Sequence, residues 1–333
     1  MPLGTWGPTR YSAHGHDSCY EERDVPVPRI PDGALEGIVY LYPSRPDAEN
    51  DSRLGGSGFL VMLPSAVVPG RGILFAVTNA HVIENGNTVV RLNTKDGKVD
   101  IFDFTEMNWL IHPNKDDIAI CAMPQLDISF HVYKEISPGM ILKRYEIDAF
   151  RIGPGDDVFV VGRFINSQGK VRNIPSVRFG NIAQMPHEPI EQNRVFGKFQ
   201  QESFLVEARS ISGFSGSPVF LILHARDSRQ EPGFRLPTDV FRLLGIQWGY
   251  IQDREPVWDG PTDTGLQVRL NTGMMGVVPA WKLGDLLRSD FVREHKRKTE
   301  EGYVAKHGLP KSSLGDAQES DANPRDREDF TRT

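Results

Sequence analysis

The 333-residue chain fits one or two domains, at roughly 150 residues per domain. Its 38 basic and 44 acidic residues leave a net charge of −6, which argues against a general nucleic-acid binder. No apolar run approaches the ~18 residues of a membrane span, and 32 glycines with 24 prolines favour turns and short strands over long helices.

In chain order, residues 1–33 are polar and Pro-rich without periodicity and read as an irregular arm. No apolar segment follows a basic start there, so no export signal is expected and a cytoplasmic setting is. From residue 35 short apolar runs recur between turn residues: Gly37–Tyr42, Gly58–Leu63, Ile73–Val77, Thr88–Leu92, Ile118–Met123, Val158–Val161, Phe204–Val206, Val219–Leu223, Leu243–Trp248 and Gly276–Val278. Such spacing suits β-barrels or a sandwich. Helical spacing comes late, after Pro279, at Trp281, Leu283, Leu286, Leu287 and Phe291. The region 34–293 reads as the folded part. Residues 294–333 are poor in apolar side chains and are expected to be a disordered polar tail. Cys19 and Cys121 make no disulfide framework, and Cys121, in an apolar run, is expected to be a buried small hydrophobe.

Three segments carry chemistry together. Thr78-Asn79-Ala80-His81-Val82 ends a β-rich run in a histidine. Asp116-Asp117-Ile118-Ala119 sets a carboxylate before an apolar strand. Gly213-Phe214-Ser215-Gly216-Ser217-Pro218 sets a serine between glycines. Each alone is an ordinary turn or cap. Together they supply a hydroxyl, an imidazole to take its proton and a carboxylate to orient that imidazole, in the order His, Asp, Ser.

These motifs resemble those of chymotrypsin-fold (trypsin-like) serine proteases, in style the high-temperature-requirement bacterial type. Gly56-Ser57-Gly58-Phe59-Leu60 is similar to the family's strand before the histidine hairpin, Gly155-Asp156-Asp157-Val158 to the opening of its second barrel, and Gly276-Val277-Val278-Pro279 to its closing strand. Ser217 stands where the family has a second glycine. Phe214 stands where zymogen-type relatives have an activating aspartate, and no peptide-binding module is expected after residue 293.

The resemblance implies an all-β fold of two six-stranded antiparallel barrels, connected at about residues 124–151, with a C-terminal helix. It implies Ser215 as nucleophile, His81 as general base and Asp117, with Asp116 as its rival, as orienting carboxylate. Gly213 and Ser215 would supply the oxyanion hole. Gln247, Trp248 and Gly249 would lie along the substrate, and Arg209 near the specificity pocket, where it could favour an acidic side chain. A polypeptide is the expected substrate, with an activating or gating partner and neither nucleic acid nor membrane. No metal or organic cofactor is expected, since the histidines and cysteines lack metal-ligand spacing. Two other readings stay open: a non-catalytic binding or scaffold protein on this fold, and an esterase. Gly55-Gly56-Ser57-Gly58 lacks the Gly-Lys-Ser/Thr ending of a phosphate loop, and Lys296-Arg297-Lys298 reads as a solvated helix end.

Overall fold

The computed structural model describes residues 30–165, 167, 169–208, 213–223 and 241–308. The chain divides into two compact units, residues 1–31 and 32–333.

The first half of the larger unit is a seven-stranded antiparallel sheet made of β1 (Ile38–Tyr42), β2 (Ser57–Pro64), β3 (Gly72–Thr78), β4 (Val89–Asn93), β5 (Val99–Phe102), β6 (Trp109–Ile111) and β7 (Ala119–Ala122). They lie in the order β5-β4-β1-β2-β3-β7-β6. Side chains alternate between faces along each strand. Val39 and Leu41 of β1 therefore join Leu60, Ala76, Val90 and Cys121 in one core. The intervening Tyr40 and Tyr42 are also fully buried, against Arg163. Burial on both faces explains why β1 reads as a continuous apolar run.

The second half begins with β8 (Asp157–Gly162) and β9 (Ser176–Gln184). A separate hairpin comes next, β10 (Ile190–Arg194) with β11 (Gly197–Gln201), then β12 (Phe204–Glu207), β13 (Pro218–Ile222), β14 (Phe241–Asp259) and β15 (Thr262–Pro279). Apart from the hairpin these strands close a six-stranded barrel, in the order β12-β15-β14-β13-β8-β9. Phe159 of β8 stacks on Phe220 of the neighbouring β13, with 4.9 Å between ring centres. The expectation of two six-stranded barrels is thus corrected for the first half. That sheet has seven strands, and its end strands β5 and β6, of four and three residues, are not paired with each other.

Among the described residues five short α-helices are interspersed: α1 (Asp32–Glu36), α2 (Arg45–Asn50), α3 (Ala80–Glu84), α4 (Glu146–Ala149) and α5 (Ala280–Leu287). The connection between the halves runs from β7 to β8 and contains α4, near the expected 124–151. The expected helix after Pro279 is α5 as far as Leu287, with Trp281 meeting Phe204 edge-on at 5.6 Å, whereas Phe291 is exposed and belongs to the next helix. A sixth and longer helix, α6 (Asp290–His307), corrects the tail expectation over residues 294–307. Ser289 caps its start, accepting from the Val292 N–H, and Gly308 ends it with φ +66°. Tail composition hid it because few of its residues are buried. Val292 and Val304 are, together with Glu300, whose carboxylate accepts from Ser65 Oγ and the Ala66 N–H.

β14 and β15 also run far past the barrel, as an exposed ribbon through Asp259 and Thr262. Only Leu243–Trp248 and Gly276–Val278 were legible as strands, since the outer ribbon has no buried face to impose alternation. Among the described residues no helix is long and apolar enough to cross a membrane.

Candidate active site

His81 sits in the first turn of α3, directly after β3. The helix N-cap, Asn79, makes no side-chain cap. Its amide instead donates to the backbone carbonyl of Asp117 at 2.8 Å, tying the histidine segment to the aspartate segment. Asp117 lies in the tight turn between β6 and β7. Lys115 there adopts a left-handed φ of +63°, and Ile118 N–H donates to Asp116 O at 2.7 Å.

The Asp117 carboxylate is fully buried and grips His81 twice. Oδ2 lies 2.7 Å from His81 Nδ1, and Oδ1 accepts the His81 backbone N–H at 2.9 Å. A third donor is the Gln192 amide, from β10, also on Oδ2. Burial alone would raise the Asp117 pKa, but the positive imidazolium and these donors hold it below the ordinary 3.8. Burial likewise opposes charge on His81, and Asp117 overcomes it, so the imidazole pKa stands above the ordinary 6.5.

Asp116 faces elsewhere. Its carboxylate lies 3.1 Å from His112 Nδ1 and 3.2 Å from Lys282 Nζ, and accepts from the Gln201 amide at 2.9 Å. Gln201 Oε1 accepts the Asp117 N–H at 2.8 Å, so one glutamine separates the two aspartates and their partners. Of the rival carboxylates, Asp117 is the one joined to His81.

Ser215 lies in the turn before β13. Two glycines hold left-handed conformations there, Gly213 at φ +96° and Gly216 at φ +87°. A Cβ on Gly216 would stand 2.0 Å from Ser57 O, and one on Gly213 2.5 Å from Ile165 Cγ2. The turn packs against the histidine segment across Gly56. A Cβ at that glycine would meet Ser215 O at 2.7 Å and Val82 Cγ2 at 2.8 Å. The Ser215 hydroxyl donates to Trp248 O at 3.2 Å. Among the described residues it makes no hydrogen bond with His81, and neither the Gly213 nor the Ser215 N–H has an acceptor.

Phe214 is fully buried, with the Arg178 guanidinium 5.1 Å from its ring centre. Ser217 is fully buried as well, and among the described residues its Oγ has no hydrogen-bond partner. A Cβ at Gly162 would lie 1.9 Å from that oxygen, so the larger residue at 217 is matched by a missing side chain at 162.

Gln247, Trp248 and Gly249 run beside the serine turn on β14. Gln247 O accepts the Gly216 N–H at 2.9 Å, and its N–H donates to Ser217 O at 3.0 Å. Trp248 Nε1 donates to Ser203 Oγ at 2.9 Å, and the space beside Gly249 Cα is open. Arg209 and Cys19 lie outside the described residues. Cys121 is buried, and burial pushes its thiol up to about 12. Among the described residues no three His, Cys, Asp or Glu side chains are grouped so as to hold a metal ion.

Sequence reasoning missed Gln192, Gln201 and Ser57. Gln192 and Gln201 belong to a hairpin with no motif of its own. Arg194 of that hairpin is paired to Glu84 and to Lys115 O, which fastens it over the aspartate turn.

No family model matches the chain, and no curated protein matches it. Among solved structures it is similar to the MamO protease domain from Magnetospirillum magneticum in its apo form. The two are 15% identical with a TM-score of 0.44, over 77% of this chain and 98% of that one. It is also similar to the Rv3671c protease of M. tuberculosis. The active form is 17% identical at TM-score 0.42, over 77% and 81% of the two chains. The inactive form is 18% identical at 0.40, over 77% and 89%.

Proposed function

We propose that the chain is a serine endopeptidase. The observation that carries this reading is the double hydrogen bond from His81 to the buried Asp117, beside the left-handed glycine turn that presents Ser215. In this reading Ser215 Oγ attacks the peptide carbonyl carbon, and His81 Nε2 takes the hydroxyl proton. The tetrahedral oxyanion is held by the N–H groups of Gly213 and Ser215. His81 then gives its proton to the leaving amine, leaving an acyl ester on Ser215. Water, deprotonated by His81, hydrolyses that ester. Asp117 fixes the Nδ1–H tautomer and stabilises the imidazolium without taking the proton. A polypeptide would extend along Gln247–Gly249. The fold's His-before-Ser order does not fit an α/β-hydrolase esterase.

The Ser215 hydroxyl is turned to Trp248 O, so the resting serine must rotate toward His81 before it reacts. That observation favours a gated enzyme, opened by substrate or by an activating partner, over a permanently active one. The test is labelling with a fluorophosphonate probe, on the parent and on Ser215→Ala. Labelling of the parent alone is expected. A folded parent that stays unlabelled, with binding partners unaffected by Ser215→Ala, would replace this reading by that of a non-catalytic scaffold.

A further inference from the structure

We propose that Ser57, on the first sheet, is the positioning residue that sets the serine turn of the barrel; this rests on the serine-hydrolase reading above. Ser57 is fully buried, and its polar groups are directed at that turn or its supports. Its N–H donates to Ser215 O at 2.7 Å. Its hydroxyl donates to Gly213 O at 2.8 Å and accepts the Arg163 N–H at 2.9 Å. Its carbonyl accepts from Thr78 Oγ at 2.7 Å, beside the space where Gly216 lacks a side chain. The turn is thus held at Gly213 and at Ser215 by one residue of the neighbouring sheet.

The far end of this relay is anchored as well. Arg163 is fully buried, and its guanidinium lies 4.1 Å and 4.3 Å from the ring centres of Tyr40 and Tyr42. Among the described residues none of its three side-chain nitrogens has a hydrogen-bond partner. The two rings are what hold this cation, and they belong to the same sheet as Ser57. The Arg163 backbone also backs the turn, since a Cβ on Gly213 would lie 3.1 Å from Arg163 O.

A carbonyl pinned at Gly213 fixes the Gly213–Phe214 peptide, and with it the direction of the N–H groups on either side. Removing the Ser57 hydroxyl leaves Gly213 O and the Arg163 N–H buried and unpaired, and frees the peptide to rotate. Loss of a whole oxyanion donor costs about 10²–10³ in rate in related sites, so loosening one should cost about 10- to 100-fold.

The experiment compares the parent with Ser57→Ala, and with Ser57→Thr, which keeps the hydroxyl. The readouts are the fluorophosphonate labelling rate of Ser215 against pH and the hydrogen exchange of residues 213–217. Expected for Ser57→Ala are labelling slowed at least ten-fold with the pH midpoint unmoved, and faster exchange at the Gly216 and Ser217 amides. Ser57→Thr should recover most of the rate. A labelling rate within two-fold of the parent, or a shifted midpoint that routes the effect through His81, would overturn the proposal. Should the parent not label at all, the serine-hydrolase reading falls, and exchange alone decides the role of Ser57: faster supports it, unchanged overturns it. If Ser57→Ala does not fold, Ser57→Cys, of similar shape and weak hydrogen bonding, takes its place in the same assays.

Discussion

Gln192→Leu tests whether the β10–β11 hairpin acts on Asp117. The substitution keeps side-chain volume nearly constant and removes one of three donors on a fully buried carboxylate. A hydrogen bond to a charged group contributes about 1.5–3 kcal/mol. The Gln192 side-chain carbonyl, however, is itself buried with no partner among the described residues, and removing it recovers about 1 kcal/mol of desolvation cost. The net loss at neutral pH should therefore be about 0.5–2 kcal/mol. The pH dependence gives the stricter check. Asp117 is held below 3.8 in the folded protein. Such a group stabilises the fold above its unfolded pKa, and that contribution is lost as pH falls through the folded value. Gln192→Leu raises the folded pKa toward 3.8. The stability gap from the parent should be full near neutrality and close as the carboxylate protonates at acid pH. Urea denaturation of both proteins at a series of pH values measures this. Hydrolysis should fall less than ten-fold, because both bonds from Asp117 to His81 survive. A gap that stays constant from pH 7 into the acid range would show that Gln192 acts by packing alone, and no gap at all would refute the hydrogen-bond argument.

Other outcomes rest on the same geometry. Because His81 titrates above 6.5 and must be neutral to act as base, kcat/KM should rise with pH through a midpoint above that value. Asp117→Asn should move the midpoint to lower pH, where burial dominates, and cut kcat about 10⁴-fold; a pH–rate profile of each protein decides. Gly162→Ala should destabilise by about 1–3 kcal/mol through collision with Ser217, and Ser217→Gly should restore most of it. Equal losses in the single and double variants by thermal melting would disprove that pairing. Glu300→Ala should lower stability by about 1–3 kcal/mol, through two lost bonds to the β2–β3 turn; unchanged melting would mean that α6 is only loosely attached. In a Cys19→Ser background, iodoacetamide should reach Cys121 only under denaturing conditions, and labelling of the native protein would contradict its burial.

Legible in the residues alone were the strand-rich character, helix formation after Pro279 and the burial of Cys121. Each is local: a run of β-branched residues or an apolar period. Asp117 was preferred to its neighbour Asp116 only through the family motif it resembles, and the structure joins Asp117 to His81. The sequence could not show that a hairpin far along the chain would place Gln192 on Asp117, or that Ser57 would hold the turn of Ser215. Those contacts join residues 75 and 156 positions apart or more. Only the pairing of sheets brings such residues together, and a polar side chain facing inward leaves no period in the sequence. The length of α6 and of the β14–β15 ribbon was hidden for the complementary reason. Both elements are mostly exposed, so their backbone hydrogen bonds, and not a buried apolar face, hold their shape. The seventh strand of the first sheet was likewise decided by tertiary pairing, which lets segments of three or four residues join a sheet that they could not form alone.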